Sequence, residues 1–95
     1  MAKYLKRFPK DPDAILDYRI NWSLWLANSG GDTIVSAVSL PDPGITVVST
    51  TRTTTSGTMR VSGGTDGTDY LITMRVTFAS GQQDDRSLLF AVRSR

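Results

Sequence analysis

The chain has 95 residues, a formal net charge of +2, 39% hydrophobic and 21% charged residues, which suits one folded domain with a single two-layer core and excludes a disordered chain. It contains no cysteine and no histidine, so disulfide frameworks, thiolate nucleophiles, Cys- or His-based metal sites and histidine acid–base catalysis are excluded. All nine acidic residues are Asp, and with Thr and Ser abundant the composition favours strands and turns over helices.

In chain order, Lys3, Lys6, Arg7 and Lys10 precede the first acid, Asp11, and Pro9 and Pro12 bracket that junction. Residues 1–13 are therefore predicted as an extended basic arm and 14–95 as the folded domain. The start has no apolar h-region and no long apolar run follows, so neither a signal peptide nor a membrane span is expected.

From Ile15 to Leu26 the alternation of Leu16, Tyr18, Ile20 and Trp22 with polar residues predicts a half-buried strand. A helix competes for part of it, because Ala14, Ile15, Tyr18 and Trp22 also suit a 3.6-residue spacing behind Asp13 as a cap. After the turn signal at 28–32, Thr33 to Leu40 alternates again, with Ile34, Ser36, Val38 and Leu40 on one face.

Pro41-Asp42-Pro43-Gly44 reverses the chain, and a third strand starts at Ile45 with Val47 and Ser49 on its face. Residues 50–57, TTRTTTSG, lack alternation and suit an exposed edge strand or an inter-sheet connection. Met59 and Val61 form a short alternation before the Gly-rich corner 62–69. Tyr70, Ile72, Met74, Val76 and Phe78 then mark the longest strand, and Leu88, Phe90 and Val92 close the domain after a hairpin. Short strands about ten residues apart, separated by Gly, Pro and Asp turns, predict an all-β antiparallel sandwich of about seven strands with Trp22 or Trp25 between the sheets.

The segment GGTDGTDYLITMRVTFASG resembles the late strands of immunoglobulin-like and fibronectin III-like domains, where a Gly- and Thr-rich corner precedes a strand-opening Tyr. That likeness gives Tyr70 a tyrosine-corner role, its hydroxyl bonding backbone upstream. Over residues 10–92, with KDPDAILDYRINWSLWL, GDTI, PDPGIT, SGGTDGTDY and DDRSLLFAV, the chain also resembles small immunoglobulin-like proteins of tailed-phage and prophage structural gene regions. The resemblance implies a bacteriophage virion component made in the bacterial cytoplasm, without fixing a head, neck or tail position.

The expected function is thus non-catalytic: a capsid decoration, cement or accessory protein bound in multiple copies to the major capsid protein or to neighbouring virion proteins. The alternatives are a neck, head–tail junction or tail component, and a carbohydrate or host-surface binding module. Candidate contact residues are Lys3, Tyr4, Lys6, Arg7, Phe8 and Lys10 of the arm, together with Trp25; Trp22 and Tyr70 are structural. Nucleic acid is disfavoured as the arm's partner.

The Asp pairs Asp11/Asp13, Asp66/Asp69 and Asp84/Asp85 offer oxygens to Ca²⁺, but none has EF-hand spacing and Asp is the ordinary turn residue. The Gly63–Gly67 stretch precedes a strand, not the helix a phosphate loop needs. No cofactor is implied.

Overall fold

The computed structural model describes residues 4–28 and 30–94. Seven strands and one short helix follow in the order β1 (Lys6–Lys10), β2 (Leu16–Asn21), α1 (Ser23–Asn28), β3 (Ile34–Pro41), β4 (Ile45–Arg52), β5 (Ser56–Gly63), β6 (Asp69–Phe78) and β7 (Gln83–Val92). They form a four-stranded sheet, β1-β7-β6-β3, and a three-stranded sheet, β2-β5-β4. Every pairing is antiparallel except β1 with β7, which is parallel.

The core lies between the sheets. The alternation of β6 buries Tyr70, Ile72, Met74, Val76 and Phe78, which meet Leu88, Phe90 and Val92 of β7 and Met59 and Val61 of β5. Trp22 is fully buried at the end of β2. At about 25 cal/mol per Å² of apolar surface removed from water, large side chains of this kind supply most of the driving force in a fold with no cross-link.

The segment expected as an arm contributes a strand. Residues 6–10 pair with Leu88–Val92, so the four-stranded sheet begins inside the basic stretch. Pro9 does not prevent this, because β1 is an edge strand. The Arg93 N–H donates to the Lys10 carbonyl at 2.9 Å, so Lys10 turns its backbone towards β7 and Pro9, one residue earlier, has its missing donor on the free side.

The strand expected to run to Leu26 stops at Asn21. Asn21 Oδ1 accepts the Ser23 N–H at 2.8 Å and the Leu26 N–H donates to the Trp22 carbonyl at 2.9 Å, so the spacing changes from two to four and buries Trp22 and Leu26 while Leu24 is 82% exposed. The helix closes when Gly31 N–H reaches back to the Leu26 carbonyl at 3.1 Å. Gly30, with φ 78°, supplies the left-handed residue that this ending requires.

β3 and β4 also depart from strict alternation. A bulge between Ile34 and Ser36 leaves Ile34 buried but turns Ser36, Val38 and Leu40 outward, so these four do not share a face. A bulge between Val47 and Ser49 has the same effect in β4: Ile45 is buried and Val47 packs on the core, while Ser49 is exposed. The Thr-rich stretch is divided. Residues up to Arg52 belong to the β4 edge, a tight turn follows, and Ser56 to Met59 lie in β5, the central strand of its sheet.

Candidate interaction surfaces

Trp22 and Tyr70 anchor opposite ends of the sandwich. The Trp22 indole N–H donates to Asp84 Oδ2 at 2.8 Å, and the Arg86 guanidinium lies 5.1 Å above the ring while pairing with the same carboxylate at 3.2 Å. The Tyr70 hydroxyl accepts the Thr65 N–H at 2.9 Å, closing the corner between β5 and β6, and this bonding lowers its pKa from the usual phenol value. Gly44 and Gly64 lie against the Tyr70 ring, both with positive φ.

The contact residues expected from the sequence do not gather into one site. Lys3 lies outside the described residues. Tyr4 and Leu5 are exposed and, with Asp85, Arg86 and Ser87, line a shallow pocket of about 170 Å³. Lys6 and Arg7 are exposed on β1, with the Lys6 ammonium 5.3 Å from the centre of the Phe8 ring.

Phe8 turns inward, its ring 4.9 Å from Tyr18 and 5.9 Å from Phe90. Lys10 is buried, and its ammonium donates to the carbonyls of Asp11 at 2.9 Å and Gly63 at 2.8 Å. Burial lowers its pKa, against the opposing pull of Asp11 and Asp13.

Trp25 is half-buried and stacks on Phe78 with centroids 4.6 Å apart. Phe90, which carries Phe8, pairs with Tyr70 at the start of β6, whereas Phe78 ends that strand. Eight residues at about 3.3 Å each put roughly 26 Å between Trp25 and the N-terminal aromatics.

The outer face of the four-stranded sheet also carries apolar residues. Leu89 pairs with Leu71, Thr73 with Leu40 and Arg75 with Val38. Val38 is 49% exposed and Leu40 44%. Between them lie a Thr73–Ser87 hydroxyl bond of 2.7 Å and the Arg75–Asp85 pair, which holds the Asp85 carboxyl below its ordinary pKa.

A solvated sheet face ordinarily alternates with the core face in polarity, so apolar residues on both sides of β3 are the signal a contact surface leaves in sequence. That signal was readable in IVSAVSL, but without the bulge Val38 and Leu40 fall in line with Ile34.

The Asp pairs hold the protein's own groups. Asp11 Oδ1 accepts the Asp13 N–H and Asp66 Oδ1 the Ser94 N–H, Asp69 pairs with Arg93, Asp84 with Arg86, and Asp85 with Arg75. Among the described residues there is no cluster of three acidic side chains placed to hold a metal ion.

What the fold and these surfaces define is a small all-β scaffold that presents sheet edges, an apolar sheet face and short loops. Residues 10–91 match the family described as podophage GP4 fiber-tail adaptor protein gp77, and the chain belongs to that family.

It is therefore a phage virion structural protein of a tail-associated family. The match lends no support to the expectation of capsid decoration and fits the tail alternative, since the family name points to the tail. No curated protein matches the chain.

Proposed function

We propose that the chain is a non-catalytic adaptor that seats a fibre on the tail of a podophage particle, with tail and fibre proteins as its partners. The observation that carries this reading is the family match over residues 10–91. The sandwich supplies rigidity. The outer face with Leu71, Leu89, Leu40 and Val38, bordered by Arg7, Tyr4 and Leu5 at the β1 side, supplies a contact area of mixed apolar and basic character.

We read the sandwich as immunoglobulin-like. The Tyr70–Thr65 bond at the β5–β6 corner and a tryptophan buried between two sheets support that reading.

The test is deletion of the gene in the phage, with particles examined by negative-stain microscopy. Heads filled with DNA and carrying tails without fibres are expected, and complementation with the chain in trans should restore fibres and adsorption to cells. Fibres retained at normal occupancy on particles lacking the chain would overturn the adaptor reading.

A further inference from the structure

A sandwich of two open sheets has four edges, and three of them here carry a device that discourages another strand from adding. β1 has Pro9 facing outward, as derived above. On β3 the Asp42 N–H donates to the Leu71 carbonyl at 3.0 Å. The alternate residues Leu40, Val38 and Ser36 therefore bond β6, and Pro41 falls on the free side with a bulge further along. β4 is interrupted by its bulge at Val47/Ser49.

β2 has neither a proline nor a bulge, and its charged residues, Asp17 and Arg19, are of opposite sign. Its six residues pair with β5 in unbroken register. The Trp22 N–H donates to the Thr55 carbonyl at 2.8 Å, so by alternation Ile20, Tyr18 and Leu16 bond β5. Asp17, Arg19 and Asn21 point their N–H and C=O groups away from the sheet, and all three are exposed. Ile15 and Leu16, at the start of this edge, are 62% and 45% exposed. The Asn21 carbonyl receives a side chain, Arg86, at 3.3 Å.

We propose that this edge pairs with the β2 edge of a second copy of the chain, antiparallel and about a two-fold axis through Tyr18. The charges select both the occupant and the register. Near the middle of the edge the axis can pass through Asp17, Tyr18 or Arg19.

Centring on Asp17 opposes two carboxylates, and centring on Arg19 opposes two guanidiniums. Centring on Tyr18 opposes Asp17 to Arg19 of the second copy twice, places Leu16 against Ile20 and Ile15 against Asn21, and leaves every N–H and C=O of the pairing residues with a partner.

Asp17 already binds Arg60 of β5 through two bonds of 2.9 and 3.3 Å, while Arg19 has no ion-pair partner among the described residues. The dimer therefore supplies Arg19 with the acid it lacks and continues the row Arg60–Asp17 across the interface. The three-stranded sheets join into one of six strands. The β1 strands lie over β2 through the Phe8–Tyr18 contact, so their Lys6 and Arg7 approach across the axis and keep the association weak and dependent on concentration.

The proposal does not rest on the adaptor reading and is tested on the purified chain by sedimentation velocity across a concentration series. The unaltered chain is expected to pass from monomer to dimer as concentration rises. Asp17→Arg sets a second guanidinium opposite Arg19, and Arg19→Asp sets a second carboxylate opposite Asp17, so each variant alone should raise the dissociation constant on the order of tenfold.

An equimolar mixture of the two variants should associate more tightly than either alone, because one of its two cross-axis pairs brings the introduced guanidinium against the introduced carboxylate while the other keeps the original Asp17 and Arg19. Thermal melts of each variant separate loss of pairing from loss of fold. An unaltered chain that stays monomeric throughout, or variants that dimerise alone as tightly as their mixture, would overturn the proposal.

Discussion

The indole N–H of Trp22 and the carboxylate of Asp84 meet at 2.8 Å, sixty-two residues apart in sequence. The contact joins the end of the three-stranded sheet to β7 of the other sheet, and Arg86 completes it from above the ring. Asp84→Ala leaves a buried donor without its acceptor and an arginine without its counter-charge. Loss of about 1–3 kcal/mol of unfolding free energy is expected, read as a lower midpoint in urea with unchanged slope. An unchanged midpoint would mean that the pair contributes nothing net.

How much of this was legible in the sequence depends on whether local pattern or tertiary context decides each element. β6 was legible throughout, because its five apolar residues alternate without a break and no bulge intervenes. β3 and β4 were legible as strands but not in their faces, since one inserted residue reverses everything after it and bulges have no fixed sequence signal here. β1 was hidden by its charges and Pro9: nothing local marks KRFPK as a strand, and its stability comes from β7 and from Phe8 in the core. α1 was obscured because six residues are too few for a helical period to declare itself. The proposed contact residues were the least legible. Exposure of Val38 and Leu40 follows from the bulge in β3 and exposure of the β2 edge from sheet order, neither of which periodicity contains.

Two glycines near the β5–β6 corner separate backbone strain from crowding. Gly64 and Gly67 both have positive φ, 96° and 85°, but a Cβ on Gly64 would stand 2.7 Å from Val92 Cγ2, whereas a Cβ on Gly67 would meet nothing within 4 Å. Gly67→Ala should cost about 1–2 kcal/mol, the left-handed penalty alone. Gly64→Ala should cost roughly 1–3 kcal/mol more as Val92 is displaced in a close-packed core. Equal losses in paired denaturation curves would show that the core absorbs the added methyl group freely.

Tyr70→Phe isolates the corner hydrogen bond, because the ring that fills the space beside Gly44 and Gly64 is retained. The Thr65 N–H loses its acceptor, and a loss of about 0.5–1.5 kcal/mol is expected. Hydrogen exchange at Thr65 should accelerate beyond the change in global stability; exchange that tracks global stability alone would assign the bond no local role.

Acid should weaken the junction between α1 and the β6–β7 hairpin. Asp32 accepts the Ser80 hydroxyl and the N–H groups of Thr33 at 2.9 Å and Ser80 at 3.2 Å, and these bonds, the Ser80 hydroxyl first, hold its carboxyl below the ordinary 3.8. A depressed folded value means that the unfolded chain binds the proton first as pH falls. The stability is therefore fully present above the ordinary aspartate range and disappears as pH drops through the folded value. The gap in melting temperature between the unaltered chain and Asp32→Asn should be widest at neutral pH and close on acidification below 3.8. A gap independent of pH would remove Asp32 as its source.

The outer sheet face offers a test of contact that leaves the fold alone. Val38 and Leu40 are exposed, so Val38→Asp and Leu40→Asp should change stability by no more than about 0.5 kcal/mol each. If this face docks a tail or fibre protein, a charge at the centre of the contact is desolvated without a partner, and affinity should fall by roughly 2 kcal/mol or more, some thirtyfold. Phage carrying both substitutions should then assemble with the chain or the fibre depleted from particles while the purified double variant melts like its parent. Full occupancy of both proteins on such particles would move the contact to another surface of the sandwich.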